Sequence, residues 1–176
     1  SGSVSEETPV KVIFDTDMGN DIDDALALDL LYKGMDAGHI RLIGVSLNKR
    51  SSTSFEFIDL MNTWYGYPDI PIAYTPRAVD NKDRDYTTPV CELKASDGKP
   101  LFKRSRKPGS WEDPVAMYRR LLAADALTEG SAVSLSALGY KNGGLLRHAL
   151  REGTPLSAIV HSTPDGRYYV PAEQVE

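Results

Sequence analysis

The chain has 176 residues, enough for one good core and too few for two full domains. With 41% hydrophobic and 26% charged residues it has the composition of an ordinary globular chain, and a net charge of -5 argues against a protein that tracks nucleic-acid phosphates. A single cysteine, Cys91, excludes an internal disulfide framework, and no stretch has the length and apolarity of a membrane-spanning helix. The first nine residues, SGSVSEETP, read as a tail with neither a basic n-region nor an apolar h-region, so no signal peptide is expected in them. The compartment stays open between the cytoplasm and, if a leader has been removed, the periplasm or exterior.

Residues 10–15 (Val-Lys-Val-Ile-Phe-Asp) predict a buried strand, and 23–33 a helix, apolar over most of its circumference, with Gly34 near its end. A second buried strand is expected over 40–48 and a helix over 53–66, ending at Gly66. A short third strand follows at 70–75. Alternation in these lengths predicts an α/β fold: an open, mostly parallel sheet with crossover helices, in one domain over 10–176. The basic run KPLFKRSRKPGS at 99–110 has Pro and Gly flanks and reads as a solvated loop. A short helix is expected near PVCELKA, and a firmer one over 112–126, capped by Asp113 with Pro114 in its first turn. Further on, 131–138 is a candidate fourth strand, 142–152 a glycine-weakened helix and 156–162 a candidate fifth strand. The tail DGRYYVPAEQ reads as a turn and a short strand.

The stretch that raises a chemical question is VKVIFDTDMGNDIDDALAL, which places Asp15, Asp17, Asp21, Asp23 and Asp24 within ten residues at the end of the first strand. Carboxylates this close repel one another and lose hydration when partly buried, so the cluster calls for a metal ion, a basic side chain or a shared proton. In open parallel sheets ligands bind at the carboxyl ends of strands, which is where Asp15 and Asp17 fall. Helix capping by Asp21 or Asp23 accounts for one or two of the acids, not five. A calcium-type cation, which takes six to eight oxygen ligands, accounts for more, with Asp17 and Asp24 reaching one ion from either side of the turn. The absence of nearby Cys or His argues against zinc, and the spacing is not that of an EF-hand loop.

The run DTDMGNDIDDALAL resembles the N-terminal signature of the nucleoside hydrolase family (inosine-uridine-preferring enzymes and relatives), with two extra residues in the loop. SLN at the end of the second strand and WYGYPDIPIAY before the third are also similar to that family. The resemblance implies a Rossmann-like nucleoside hydrolase core, a bound Ca²⁺ and hydrolysis of the N-glycosidic bond of a small-molecule ribonucleoside. Carried over by position, Asp17 is calcium ligand and general base and Asp24 the second ligand. Asp23 and Asn48 bind ribose hydroxyls, with Asp15 and Asp21 in support. SALGYKN matches loosely the place where a backbone carbonyl binds the metal, making Leu138 the candidate.

Members of that family are longer, and their C-terminal part carries a His-Asp pair that this sequence lacks, so the C-terminal half is expected to be shortened. His39 and His148 read as structural or solvated, His161 as the one tempting acid, and Asp165 as part of a PDG turn. Trp64, Tyr65 and Tyr67 offer a base-stacking surface, although helical spacing favours core packing for Trp64. Two other readings compete: a non-catalytic calcium- or ribose-binding domain, and a haloacid-dehalogenase-like Mg²⁺ phosphatase with Asp15 as nucleophile and Asp17 as acid/base. Neither nucleic acid nor membrane is expected as a partner, and a homo-oligomer is left open.

Overall fold

The computed structural model describes residues 8–79, 85–124, 149–162, 164 and 168–169. Three parallel strands form its sheet, in the order β1 (Val10–Thr16), β2 (Ile40–Lys49) and β3 (Ile72–Val79). Helix α1 (Asp23–Asp36) links the first two and α2 (Ser52–Trp64) the second and third. This is a mixed α/β fold on an open, all-parallel sheet, as the alternation of elements predicts. A short α3 (Thr87–Glu92) and a longer α4 (Pro114–Ala124) follow.

The helices cover both faces. On one, Leu28 and Leu31 of α1 and Phe55, Ile58 and Met61 of α2 join Phe14, Val45, Leu47 and Ile72 in the main core. On the other, Met117 and Leu121 of α4 pack against Ile43 and Ala73, with Ile13 at the margin. Gly44 makes this second contact close, because a Cβ there would sit 2.7 Å from Leu121 Cδ1 and 3.2 Å from Met117 Sδ. The chain ahead of α4 is anchored to the outer edge of β3: Tyr74 N donates to Glu112 O at 3.0 Å and Glu112 N to Ile72 O at 3.2 Å. Asp113 then caps the helix, accepting from Ala116 N at 3.0 Å, with Pro114 at the first helical position as the sequence predicts.

Several expectations change in detail. Helix α1 runs through Gly34, whose missing Cβ admits Ile40, and stops where Gly38 takes a φ of +76°. Strand β1 is only half-buried over Val12 and Ile13, since among the described residues it has a neighbour strand on one edge alone. Residues 156–162 do not form a fifth strand of the sheet: Leu156–Ala158 is a 3-10 turn, and His161–Ser162 forms a two-residue strand (β4) antiparallel to Tyr168–Tyr169 (β5). Trp64 is 44% exposed, its ring edge-on to Phe102, and is not a core residue. The strand expected at 131–138 and most of the helix expected at 142–152 lie outside the described residues. No helix among the described residues is long and apolar enough to cross a membrane.

Candidate functional site

The loop between β1 and α1 is tied down from several directions. The Thr16 hydroxyl donates to Asp24 Oδ2 at 2.7 Å and accepts from Met18 N at 3.0 Å. Ser54 Oγ, in the first turn of α2, donates to Met18 O at 2.7 Å, and Tyr86 N to Gly19 O at 3.1 Å. Met18 is fully buried, its sulfur accepting from the Tyr86 hydroxyl at 3.0 Å. Gly19 has a φ of +134°, a backbone conformation that favours glycine, and it lies close to Lys49 Nζ. A buried anchor (Met18) with an exposed acid before it (Asp17) holds the charged residues at the surface in one conformation.

The five aspartates then separate. The N-cap position of α1 is Ile22, with no side-chain cap, so neither Asp21 nor Asp23 is there as a capping residue. Asp21 and Asp23 are exposed, and Asp23 shares the first turn of α1 with Asp24, at the positive end of the helix dipole. Asp17 faces Asp24 within hydrogen-bonding reach. Burial, then the carboxyls of Asp17 and Asp23, push Asp24 up to about 6, while the Thr16 hydroxyl pulls it down. Two carboxyls forced together at the carboxyl end of β1 are donors of the kind a hard divalent cation takes, with backbone oxygens and water completing its shell. In that respect they fit calcium. They are a pair, not a cage: among the described residues no three His, Cys, Asp or Glu side chains converge as a metal site.

Two residues that the pattern of acids did not single out stand beside this loop. Lys49 ends β2, is 4% exposed, and donates from Nζ to Asn20 Oδ1. It brings a buried positive charge to the acidic turn, one of the three remedies the cluster calls for. Its only sequence signal is its place directly after Asn48. Tyr118 of α4 donates to Asp15 Oδ2 at 3.0 Å across 103 residues, a relation no local pattern encodes. Burial, followed by the Asp15 carboxylate, pushes the Tyr118 hydroxyl up to about 12, so it remains a donor at neutral pH.

Asp15 and Asn48 meet directly, Asn48 Nδ2 donating to Asp15 Oδ1. They open a cleft of about 600 Å³ at the carboxyl end of the sheet, lined also by Ser46, Thr75, Arg77, Val115, Tyr118 and Arg119. Thr75 and Arg77 come from the last part of β3, after Tyr74, where its register with β2 shifts. Tyr65 and Tyr67 are turned elsewhere. They stack on Tyr32 with centroids 4.3 and 6.0 Å away and donate to Asp29 and Asp36, so they act as packing between α1 and α2. His161 is exposed at the start of β4. Leu138, His148 and Asp165 lie outside the described residues.

The chain matches no protein-family model, and no curated protein is significantly similar to it in sequence.

Proposed function

We propose that this chain carries a Ca²⁺-dependent ribonucleoside hydrolase site on a Rossmann-like nucleoside hydrolase core. The observation that carries the reading is the Asp17–Asp24 pair, two carboxyls facing each other at the end of β1. The neighbouring cleft, with Asp15 and Asn48 in contact, supports it.

Asp17 and Asp24 would hold a calcium ion, which would supply positive charge to offset the paired carboxylates and attract the ribose diol. Asp17, exposed and beside that charge, takes the proton from an attacking water. Asp24, fixed by Thr16, holds the opposite side of the pair. The Asn48 amide, oriented by Asp15, and the exposed Asp23 carboxylate bind ribose hydroxyls. The grouped carboxylates also favour the positive charge that builds on the sugar as its C–N bond lengthens. Water oxygen joins the anomeric carbon, and the bond's electron pair leaves with the base. The phosphatase reading is weaker here, because both oxygens of Asp15, its required nucleophile, accept hydrogen bonds from Asn48 and Tyr118.

The test is hydrolysis of p-nitrophenyl riboside by metal-stripped protein, with calcium restored, beside an Asp17→Ala variant. That leaving group departs as a stabilised anion and needs no acid. Turnover that requires calcium and disappears in the variant supports the hydrolase. Calcium binding without turnover means a binding domain instead.

A further inference from the structure

The cleft is lined by two chemically different sets of side chains. One set is Asp15 of β1, Asn48 of β2 and the Tyr118 hydroxyl, acceptors and donors suited to a sugar. The other set is Arg77 of β3 and Arg119 of α4. Among the described residues neither guanidinium has an ion-pair or hydrogen-bonding partner. Three other arginines are held differently: Arg120 by both Glu112 oxygens at 3.0 and 2.7 Å, and Arg104 and Arg106 by backbone carbonyls. A chain with a net charge of -5 has no general excess of positive surface to explain two unpaired arginines lining one cleft. An anion supplies the missing counter-charge, and a phosphate, with several oxygens, suits the guanidinium fork.

We propose that Arg77 and Arg119 bind the phosphate of a phosphorylated ribose, so that the substrate class is a ribonucleoside 5′-monophosphate and not the free nucleoside. This rests on the hydrolase reading for the reaction, but the binding claim stands apart from it. A ribose bound in the cleft turns its diol toward Asn48 and its 5′-phosphate toward the two arginines, whose long side chains give them reach. Hydrolysis then adds water across C1′–N: the hydroxyl joins C1′, the C–N electron pair goes to the base nitrogen, and the water's remaining proton ends on the base. The products are ribose 5-phosphate and the free base. The phosphate is untouched and serves as a handle whose binding energy positions the sugar.

Calorimetric titration with ribose 5-phosphate, ribose and inorganic phosphate, in the presence of calcium, tests this without needing turnover. The wild type is expected to bind ribose 5-phosphate at least tenfold more tightly than ribose. In the Arg77→Gln/Arg119→Gln double variant, both positions being exposed, that ratio is expected to fall toward one. Equal affinities in the wild type, an unchanged ratio in the variant, or no binding of any probe overturns the proposal. Nucleoside turnover without phosphate preference would sink this inference and leave the hydrolase standing. Phosphate preference with neither nucleoside nor nucleotide turned over would do the reverse.

Discussion

Thr16 and Asp24 are joined across the whole acidic turn, the threonine hydroxyl donating to Asp24 Oδ2 at 2.7 Å while accepting from Met18 N. One buried hydroxyl thus fixes both the loop backbone and the orientation of a carboxyl that electrostatics would push away. Thr16→Val keeps the side-chain shape and removes both bonds. A loss of about 1–3 kcal/mol in urea unfolding is expected, because Met18 N is left without a partner. A change within error would mean that water replaces the hydroxyl.

The Asp17–Asp24 pair makes opposite predictions with and without metal. In metal-free protein Asp17→Asn relieves a like-charge contact, so its melting temperature should equal or exceed that of wild type. Calcium should raise the melting temperature of wild type and leave both Asp17→Asn and Asp24→Asn nearly unmoved. Equal calcium stabilisation in all three proteins would remove the pair as the cation site.

Gly44 sets how closely α4 approaches the sheet, and so where Tyr118 and Arg119 stand. Gly44→Ala places a methyl 2.7 Å from Leu121 Cδ1, which is buried and has little room to swing aside. A cost of about 1–3 kcal/mol by thermal or denaturant unfolding is expected. Ribose binding should weaken as well, because the Tyr118 hydroxyl moves off Asp15. Retained stability with retained binding would show that α4 adjusts by rotamer changes alone.

Asp85 gives the fold a measurable acid dependence. Burial raises its carboxyl, but hydrogen bonds from the Thr87 and Thr88 hydroxyls and amides outweigh that and leave it below the ordinary carboxylate value. A depressed carboxyl contributes stability above its unfolded pKa, and the contribution disappears as pH falls through the folded value. Asp85→Asn should therefore cost about 1–2 kcal/mol at pH 7, the half-solvated site keeping the figure small. The gap from wild type should close in strongly acidic buffer. A gap independent of pH would assign the effect to packing instead.

Cys91 should be slow to react. Burial pushes its thiol up to about 11, against the opposing pull of the Arg104 guanidinium, so little thiolate exists at pH 8. Labelling by iodoacetamide should be at least tenfold faster in denaturant than in the native protein, followed by mass spectrometry. Equal rates would show that the α3 segment opens readily.

The sequence by itself determined what local chemistry can determine. Apolar runs, the Gly66 stop and the Asp113-Pro114 start gave three strands and three of the helices nearly in place, with α1 running past the expected end at Gly34, because periodicity and caps act over a few residues. The crowding of acids around Asp17 marked the candidate site for the same reason: charge density is visible in one dimension. Other features depended on chain segments far apart in sequence. That Asp21 and Asp23 are not caps and that Asp15 turns toward Asn48 follow from how β1 meets α1 and β2. Tyr118, Arg77 and Arg119 share a cleft because α4 docks on the face of the sheet opposite α1 and α2. That placement is decided by Met117 and Leu121 fitting over Gly44 and Ala73. Packing of this kind is a relation between surfaces, and it exists only once the surfaces have formed.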